Sequence, residues 1–393
     1  MEPFTGAIVR PSHAAAVVAP PYDQLQADER RAIAADQPDS FLTVLPAAQP
    51  DATELRANRV ALERLERRGR FEPLPGPCLA VLSLELDGVT AVAIVGDVEV
   101  AAFESGAIRS HERVRPARVE QLAHYLDVVG IASSPVALVH RDHPGIAAAT
   151  DAVMRRATAD LDVELRDGTT LRVWLVSDPD GQDALRRAFA SVEGLTIADG
   201  HHRAAAGAAF AAGAGPGRAI DRVLVAAFPA SQLSVTAFDR RIRGLGAGAA
   251  ERITGVLASA GLEPVAIDQP TTRPPPHVIQ LGVEQRWWAV SLQPALGPDP
   301  LGRLDAAIVE RVLLEPLLRA LPSLAIEPVA AKPSERDEGA IPPAPGCALV
   351  RLHPPDVDTI IGIAAAGEIM PAKSTYLAPK LRSGVFLVPR RRG

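Results

Sequence analysis

Apolar positions along this chain recur with two periods, and the switches between them mark out short strands and helices. Within Asp51 to Arg68, Leu55, Leu62 and Leu65 share one face and most arginines lie off it, which predicts a helix. Arg67-Arg68-Gly69-Arg70 supplies its cationic end and glycine stop. Gln26 to Asp36 reads as another helix, and Ala14 to Pro20 as an extended piece. Cys78 to Leu86 and Thr90 to Val95 flank Asp87-Gly88, a strong hairpin signal. Helices are then predicted over Arg118 to Val129, Gly145 to Ala159 and Gln182 to Ala190. Strands are predicted at Val136 to His140, Leu161 to Leu165, Leu171 to Val176 and Arg222 to Phe228. The apolar strand Leu195 to Ala198 gives way to an alanine-rich helix, Ala204 to Ala212. Farther on, Trp287 to Leu292 reads as a strand and Leu304 to Leu318 as a helix. Such alternation predicts an α/β (α+β) class.

Breaks in the pattern divide the chain into three regions. Residues 1–75 carry Pro20-Pro21-Tyr22-Asp23, whose prolines stiffen the turn that presents Tyr22 and Asp23. The proline-rich stretch Pro73 to Pro77 is a candidate linker into an alternating core over 76–243. Gly244 to Gly248 opens a third region, 244–393, with a proline cluster at Pro270 to Pro276. A chain of 393 residues has room for two or three domains.

Charge narrows the partners. A net charge of −6 disfavours bulk nucleic-acid binding, which calls for a basic surface. Cys78 and Cys347 form neither a metal spacing nor a disulfide framework, consistent with a reduced interior. Met1-Glu2-Pro3-Phe4 does not open a signal peptide. No uncharged apolar run approaches the roughly 20 residues that span a bilayer. A cytoplasmic protein acting on small molecules is the expectation, with the oligomeric state open.

Candidate chemistry centres on Asp199-Gly200-His201-His202-Arg203, where a strand turns into a helix. A helix start presents unpaired N–H groups and partial positive charge, a ready anion site. Cations in a first turn oppose the helix dipole, so His201, His202 and Arg203 invite an anion to compensate them. Asp199 could hold a metal, or could simply cap the helix. Upstream, Glu112 stands among Arg109, His111, Arg113 and Arg115. That cluster favours an ionised carboxylate and so a general base, with His111 and Arg113 able to hold an anionic substrate. A solvated loop of salt bridges is the alternative. Near the C-terminus, Lys373-Ser374-Thr375 lacks the upstream glycines of a P-loop. It could still bind phosphate or close over the helix start, and otherwise is a polar loop.

Taken in order, Ala19-Pro20-Pro21-Tyr22-Asp23, His111-Glu112-Arg113, Ser134-Pro135, Ala198-Asp199-Gly200-His201-His202-Arg203, Leu304-Asp305 and Met370-Pro371-Ala372-Lys373-Ser374-Thr375-Tyr376 resemble a known family. It is the ParB/sulfiredoxin-like family that includes the free-serine kinases. The resemblance covers nearly the whole chain. It implies a ParB/sulfiredoxin-like nucleotide-binding core and phosphorylation of free L-serine to O-phosphoserine with ATP or ADP and Mg2+. Carried over, Asp199, Gly200, His201, His202 and Arg203 match the phosphate and metal motif, and Glu112 the acidic residue that takes the hydroxyl proton. Tyr22, Asp23, Lys373, Ser374 and Thr375 match further motifs. The chain departs from the pattern at Ala204, around Phe238-Asp239-Arg240-Arg241, where a histidine is missing, and at Leu377 and Ala378. A non-catalytic nucleotide-binding regulator and a metal-dependent phosphohydrolase are the competing readings.

Overall fold

The structure, a computed structural model, describes residues 1–22, 25, 27–47, 49–213, 221–271, 273–330 and 344–390. The chain divides into two compact units, Met1–Leu233 with Pro379–Gly393, and Ser234–Ala378. Both mix helices and sheets, so the α/β class holds.

The first unit opens with β1 (Ala7–Val9), α1 (Pro11–Val17), α2 (Ala27–Asp36), α3 (Ala52–Arg67) and β2 (Phe71–Pro73). The hairpin follows as β3 (Leu79–Leu86) and β4 (Val89–Glu99), with Asp87 and Gly88 both at positive φ in its turn. Next come α4 (Ala101–Glu104), β5 (Ile108–Arg109), α5 (Pro116–Val129), β6 (Ile131–Ala132), β7 (Val136–His140) and α6 (Pro144–Arg156). The series ends with β8 (Leu161–Glu164), β9 (Thr170–Val176), α7 (Pro179–Ala190), β10 (Leu195–Asp199), α8 (His201–Ala212) and β11 (Arg222–Pro229). Eight strands form one sheet in the order β5-β10-β7-β11-β4-β3-β9-β8. It is mixed: β10 runs parallel to β5, and β11 parallel to β7, while the other pairs are antiparallel. Val136, Leu138, Ile197, Val225 and Ala227 from its central strands join Ala204 and Ala211 of α8 in one buried cluster.

One expectation fails near the N-terminus. The stretch expected to be extended from Ala14 instead lies in α1 as far as Val17. Proline at its first turn has φ already set for a helix, and Ala14, Ala15 and Ala16 carry it forward. Extended backbone resumes only at Val18, where φ is −62° and ψ 120°.

A closing strand, Phe386–Pro389, returns to the first unit between β1 and β6. Several contacts bolt this return down. Arg382 binds Thr169 at 2.6 Å and Asp167 at 2.8 Å. Ala19 bridges to Ser383, and buried Arg390 pairs with buried Asp97. Gly384 has φ +83°, and a Cβ there would meet the Phe41 ring at 2.5 Å, so only glycine fits.

In the second unit, β12 (Ser234–Arg243) is the long strand, followed by α9 (Ala249–Ser259), β13 (Pro264–Ile267), β14 (Val278–Val283) and β15 (Arg286–Ser291). The helix expected over Leu304 to Leu318 forms as α10 (Asp305–Val309), a π-helical turn (Glu310–Leu314) and α11 (Glu315–Ala320). Pro316 explains the wide turn: it lacks an N–H, and its ring would clash with the preceding turn of a regular helix. Then come β16 (Ala325–Ala330), β17 (Cys347–Arg351), α12 (Val357–Ala365) and β18 (Thr375–Ala378). The sheet order is β13-β15-β14-β17-β12-β16, with β18 also paired to β12. Among the described residues no helix is long and apolar enough to cross a membrane.

Removing one partner of a buried pair leaves an uncompensated charge, at a cost of about 3–5 kcal/mol, whereas exposed pairs contribute about 1 kcal/mol or less. Asp97→Ala strands the Arg390 guanidinium and is expected to lower unfolding free energy in the first range. Arg10→Ala, at the exposed Arg10–Glu72 pair, is expected to stay in the second. Urea titration of both variants followed by circular dichroism checks the contrast.

Candidate functional site

The site is built where β10 ends and α8 begins. Gly200 turns the chain at φ +95°, a conformation open to glycine at little cost. Its missing side chain matters a second time, because a Cβ there would meet the Arg203 guanidinium at 2.7 Å. Arg203 therefore folds back over the turn and donates to Asp199 at 2.5 Å. The other oxygen of Asp199 accepts from Lys380, which the C-terminal return delivers. Helices α3, α7 and α12 are capped by Asp51, Asp178 and Asp356, whose side chains accept from first-turn N–H groups. Gly200 offers α8 no such acceptor.

Parallel pairing of β5 with β10 brings a second segment to the same place. Ile108 pairs with Leu195 and Arg109 with Thr196, so the chain leaves both strands at one end of the sheet. The Arg115 N–H donates to His202 Nε2 at 3.0 Å, which leaves a neutral His202 with its proton on Nδ1. Glu112 lies 3.4 Å from His201 Nδ1, and the His111 and His201 rings meet edge to face at 4.6 Å.

Electrostatics divides these groups sharply. Burial pushes His111 down to about 4, against the pull of Asp199. Burial also pushes His201 well below its ordinary value, and the neighbouring His111 adds to this. Burial alone would raise Asp199, but Lys380 and Arg203 outweigh it and hold the carboxyl well below the usual range. At neutral pH the site thus contains an ionised Asp199 between two cations, beside two uncharged imidazoles. His201 Nε2 and His111 Nδ1 are buried with no hydrogen-bond partner among the described residues. Unsatisfied buried polar atoms are costly, so such a pair at a helix start suits a ligand that engages them.

The other expected site residues fall in different places. Arg113 is exposed on the loop after β5, and Glu112 is half-buried. Tyr22 lies beneath the Arg30 guanidinium at 5.9 Å, and Asp23 lies outside the described residues. Lys373, Ser374 and Thr375 belong to the second unit. There Lys373 Nζ sits 5.6 Å from the Phe238 ring, Ser374 donates to the Pro371 carbonyl at 2.6 Å, and Thr375 pairs with Ala237. Arg240 holds that turn by donating to the carbonyls of Lys373 at 3.0 Å and Ala372 at 3.4 Å. Lys380 carries no role in the sequence reading; its only cue is a lysine after Pro379 in the motif-rich tail.

A resident Mg2+ does not fit these donors. Both Asp199 oxygens are engaged by cations, the imidazoles of His111 and His201 stand beside it, and Mg2+ prefers oxygen ligands. Among the described residues no group of three or more His, Cys, Asp or Glu side chains is placed to hold a metal ion.

Residues 1–307 match the model of a family described as "Protein of unknown function (DUF1015)". The chain belongs to that family. No curated protein matches it. Among solved structures, a C-terminally truncated SbnI from Staphylococcus aureus is similar at 14% identity and a TM-score of 0.42, over 75% of this chain and 87% of that one. A mutant free serine kinase in complex with ADP is similar at 13% identity and a TM-score of 0.39, over 74% and 92%. A conserved hypothetical protein from Pyrococcus furiosus is similar at 14% identity and a TM-score of 0.36, over 73% and 93%.

Buried neutral imidazoles give the site a pH signature. An unfolded histidine titrates near ~6.5, while folded His111 titrates at about 4. Between those values the unfolded chain binds a proton that the folded chain refuses, so stability falls as pH drops through that window. Melting temperatures measured from pH 7 to pH 4 are expected to fall less steeply for His111→Asn than for the native chain.

Proposed function

We propose that this protein is a small-molecule kinase that transfers a phosphoryl group from ATP or ADP, taken up with Mg2+, to the hydroxyl of free L-serine. The observation that carries the reading is the start of α8, where two buried imidazole nitrogens meet no partner among the described residues and two basic side chains stand beside a half-buried carboxylate. Phosphoryl transfer asks little covalent chemistry of a protein. It needs positioning and neutralisation of charge on the transferring group. First-turn N–H groups, Arg203 and Lys380 supply both, and Asp199 holds the two cations in place before the phosphate arrives. Mg2+ travels on the nucleotide phosphates rather than in a protein cage.

Glu112 serves as the base. The serine Oγ–H proton passes to its carboxylate as the Oγ–P bond forms. The bond from phosphorus to the leaving nucleotide oxygen breaks, giving O-phosphoserine and the shortened nucleotide. His201, 3.4 Å from Glu112, orients that carboxylate. The choice of serine rests on the family resemblance; a carboxylate base calls for a hydroxyl acceptor on any carrier.

Incubation with Mg2+, ATP or ADP, and L-serine is expected to yield O-phosphoserine, detected by mass spectrometry. Glu112→Gln is expected to lower turnover by about 100- to 10,000-fold, the usual contribution of a general base, with nucleotide affinity little changed. Arg203→Ala is expected to weaken nucleotide binding. Binding without product from L-serine would overturn the serine kinase and favour a nucleotide-binding regulator. Release of phosphate with no acceptor present would favour a phosphohydrolase.

A further inference from the structure

Leu304-Asp305 carries no part in the site at α8, yet Asp305 is buried in the second unit, only 4% exposed. Both of its oxygens are spent on one residue. Oδ1 accepts from His277 Nδ1 at 2.9 Å, and Oδ2 from the His277 backbone N–H at 3.1 Å. A second histidine stands by. His353 Nδ1 donates at 2.7 Å to the carbonyl of Pro274, which precedes His277 on the same loop. The antiparallel register that pairs Gln280 with Arg351, continued by two residues, sets His353 against Val278, next to His277. Both imidazoles lie close enough to Asp305 to act on its charge.

His277 occupies a costly place. It is the third residue of the turn Pro275–Val278, which the Val278 N–H closes on the Pro275 carbonyl at 3.1 Å, and its φ is +59°. Glycine or asparagine is the usual occupant of such a position. Here two hydrogen bonds to a buried carboxylate keep an imidazole in it, and strain held in this way collects at ligand sites. The same bonds settle the chemistry of the rings. With Nδ1–H donating, each neutral imidazole carries its lone pair on Nε2. Neither Nε2 meets a hydrogen-bond partner among the described residues, and the His277 side chain stays 30% exposed. Histidines that ligate metals donate their other ring N–H to a carboxylate or a backbone carbonyl, and this pair uses one of each.

We infer that His277 and His353 bind a divalent cation of the zinc and copper class through their Nε2 atoms, with Asp305 as the positioning group behind His277. Imidazole nitrogen suits these ions, whereas Mg2+ and Ca2+ prefer oxygen. Asp305 is not a third ligand. Its oxygens are already engaged, and among the described residues no three His, Cys, Asp or Glu side chains are grouped to hold an ion. Zinc is usually four-coordinate, so two positions stay with water and the ion remains exchangeable. The site draws on no residue of the phosphate site proposed above.

Calorimetric titration of the full chain with ZnCl2 tests the assignment. Native protein is expected to bind one equivalent of Zn2+ that both His277→Asn and His353→Ala lose. Asparagine tolerates positive φ and can still bond Asp305, and His353 is only half-buried, so both variants are expected to keep the fold. Asp305→Asn is expected to weaken that equivalent by about 10- to 100-fold, the usual effect of removing a group that orients a ligating histidine. Ions taken up by other histidines bind native and variant protein alike and cancel in the comparison. Equal Zn2+ stoichiometry and affinity in the native chain and both histidine variants overturns the site, as does loss in only one of them. Unchanged affinity in Asp305→Asn overturns the positioning role of the carboxylate. Should Asp305→Asn not fold, the two histidine variants decide.

Discussion

Everything at the start of α8 hangs on the Asp199 carboxylate, held between Arg203 and Lys380. Taking a carboxylate out of water is expensive, and only close opposite charges offset the loss. One cation comes from the helix four residues on and the other from the far end of the chain, so the pairing fixes the C-terminal return against the site. Gly200 is the geometric condition for it, since a side chain there would occupy the space through which Arg203 folds back. Asp199 is thereby a positioning group whose oxygens are already engaged. An arriving anion would meet two cations whose orientation has been settled in advance, which is the arrangement electrostatic catalysis favours.

The same geometry changes the reason for expecting an anion. From sequence, His201, His202 and Arg203 counted as three cations opposing the helix dipole. Folded, His201 is pushed neutral by burial, His202 accepts a hydrogen bond from the Arg115 N–H, and Arg203 is matched by Asp199. The uncompensated feature is therefore two buried ring nitrogens, on His201 and His111, that meet no hydrogen-bond partner among the described residues. Burial therefore removes the charge argument that singled out this turn.

Much of the first unit was legible because its strands are short, apolar and bounded by Asp-Gly or Gly turns, as at Asp87-Gly88 and Asp167-Gly168. The missed elements lie where polar residues sit on buried strand positions. Arg240 on β12, Gln280 on β14 and Arg351 on β17 are almost wholly buried, which spoils the period-two signal. Arg351 is accommodated by the Trp287 ring at 5.0 Å and the Thr271 carbonyl at 3.1 Å, partners that no local pattern announces. Lys380 was invisible for a related reason: its role depends on a closing strand that pairs with β1, at the opposite end of the chain. In the Lys373-Ser374-Thr375 stretch, residue types suited to phosphate are occupied by the turn itself, Ser374 by Pro371 and the backbone by Arg240.

The five residues from Asp199 to Arg203 were the most readable signal because of how a helix start distributes side chains. Successive residues of α8 project about 100° apart, so neighbours in sequence face different parts of the structure. Asp199 meets the C-terminal return, and His201 meets Glu112 and His111 on one side. His202 takes the Arg115 N–H, and Arg203 reaches Asp199. Gly200 makes the turn that lets the fan open. Segments distant in sequence converge on one turn, and each demands a particular residue type there. A motif is short when one turn serves many neighbours, and a surrounding position such as Lys380 acquires its meaning only after the chain has folded around it.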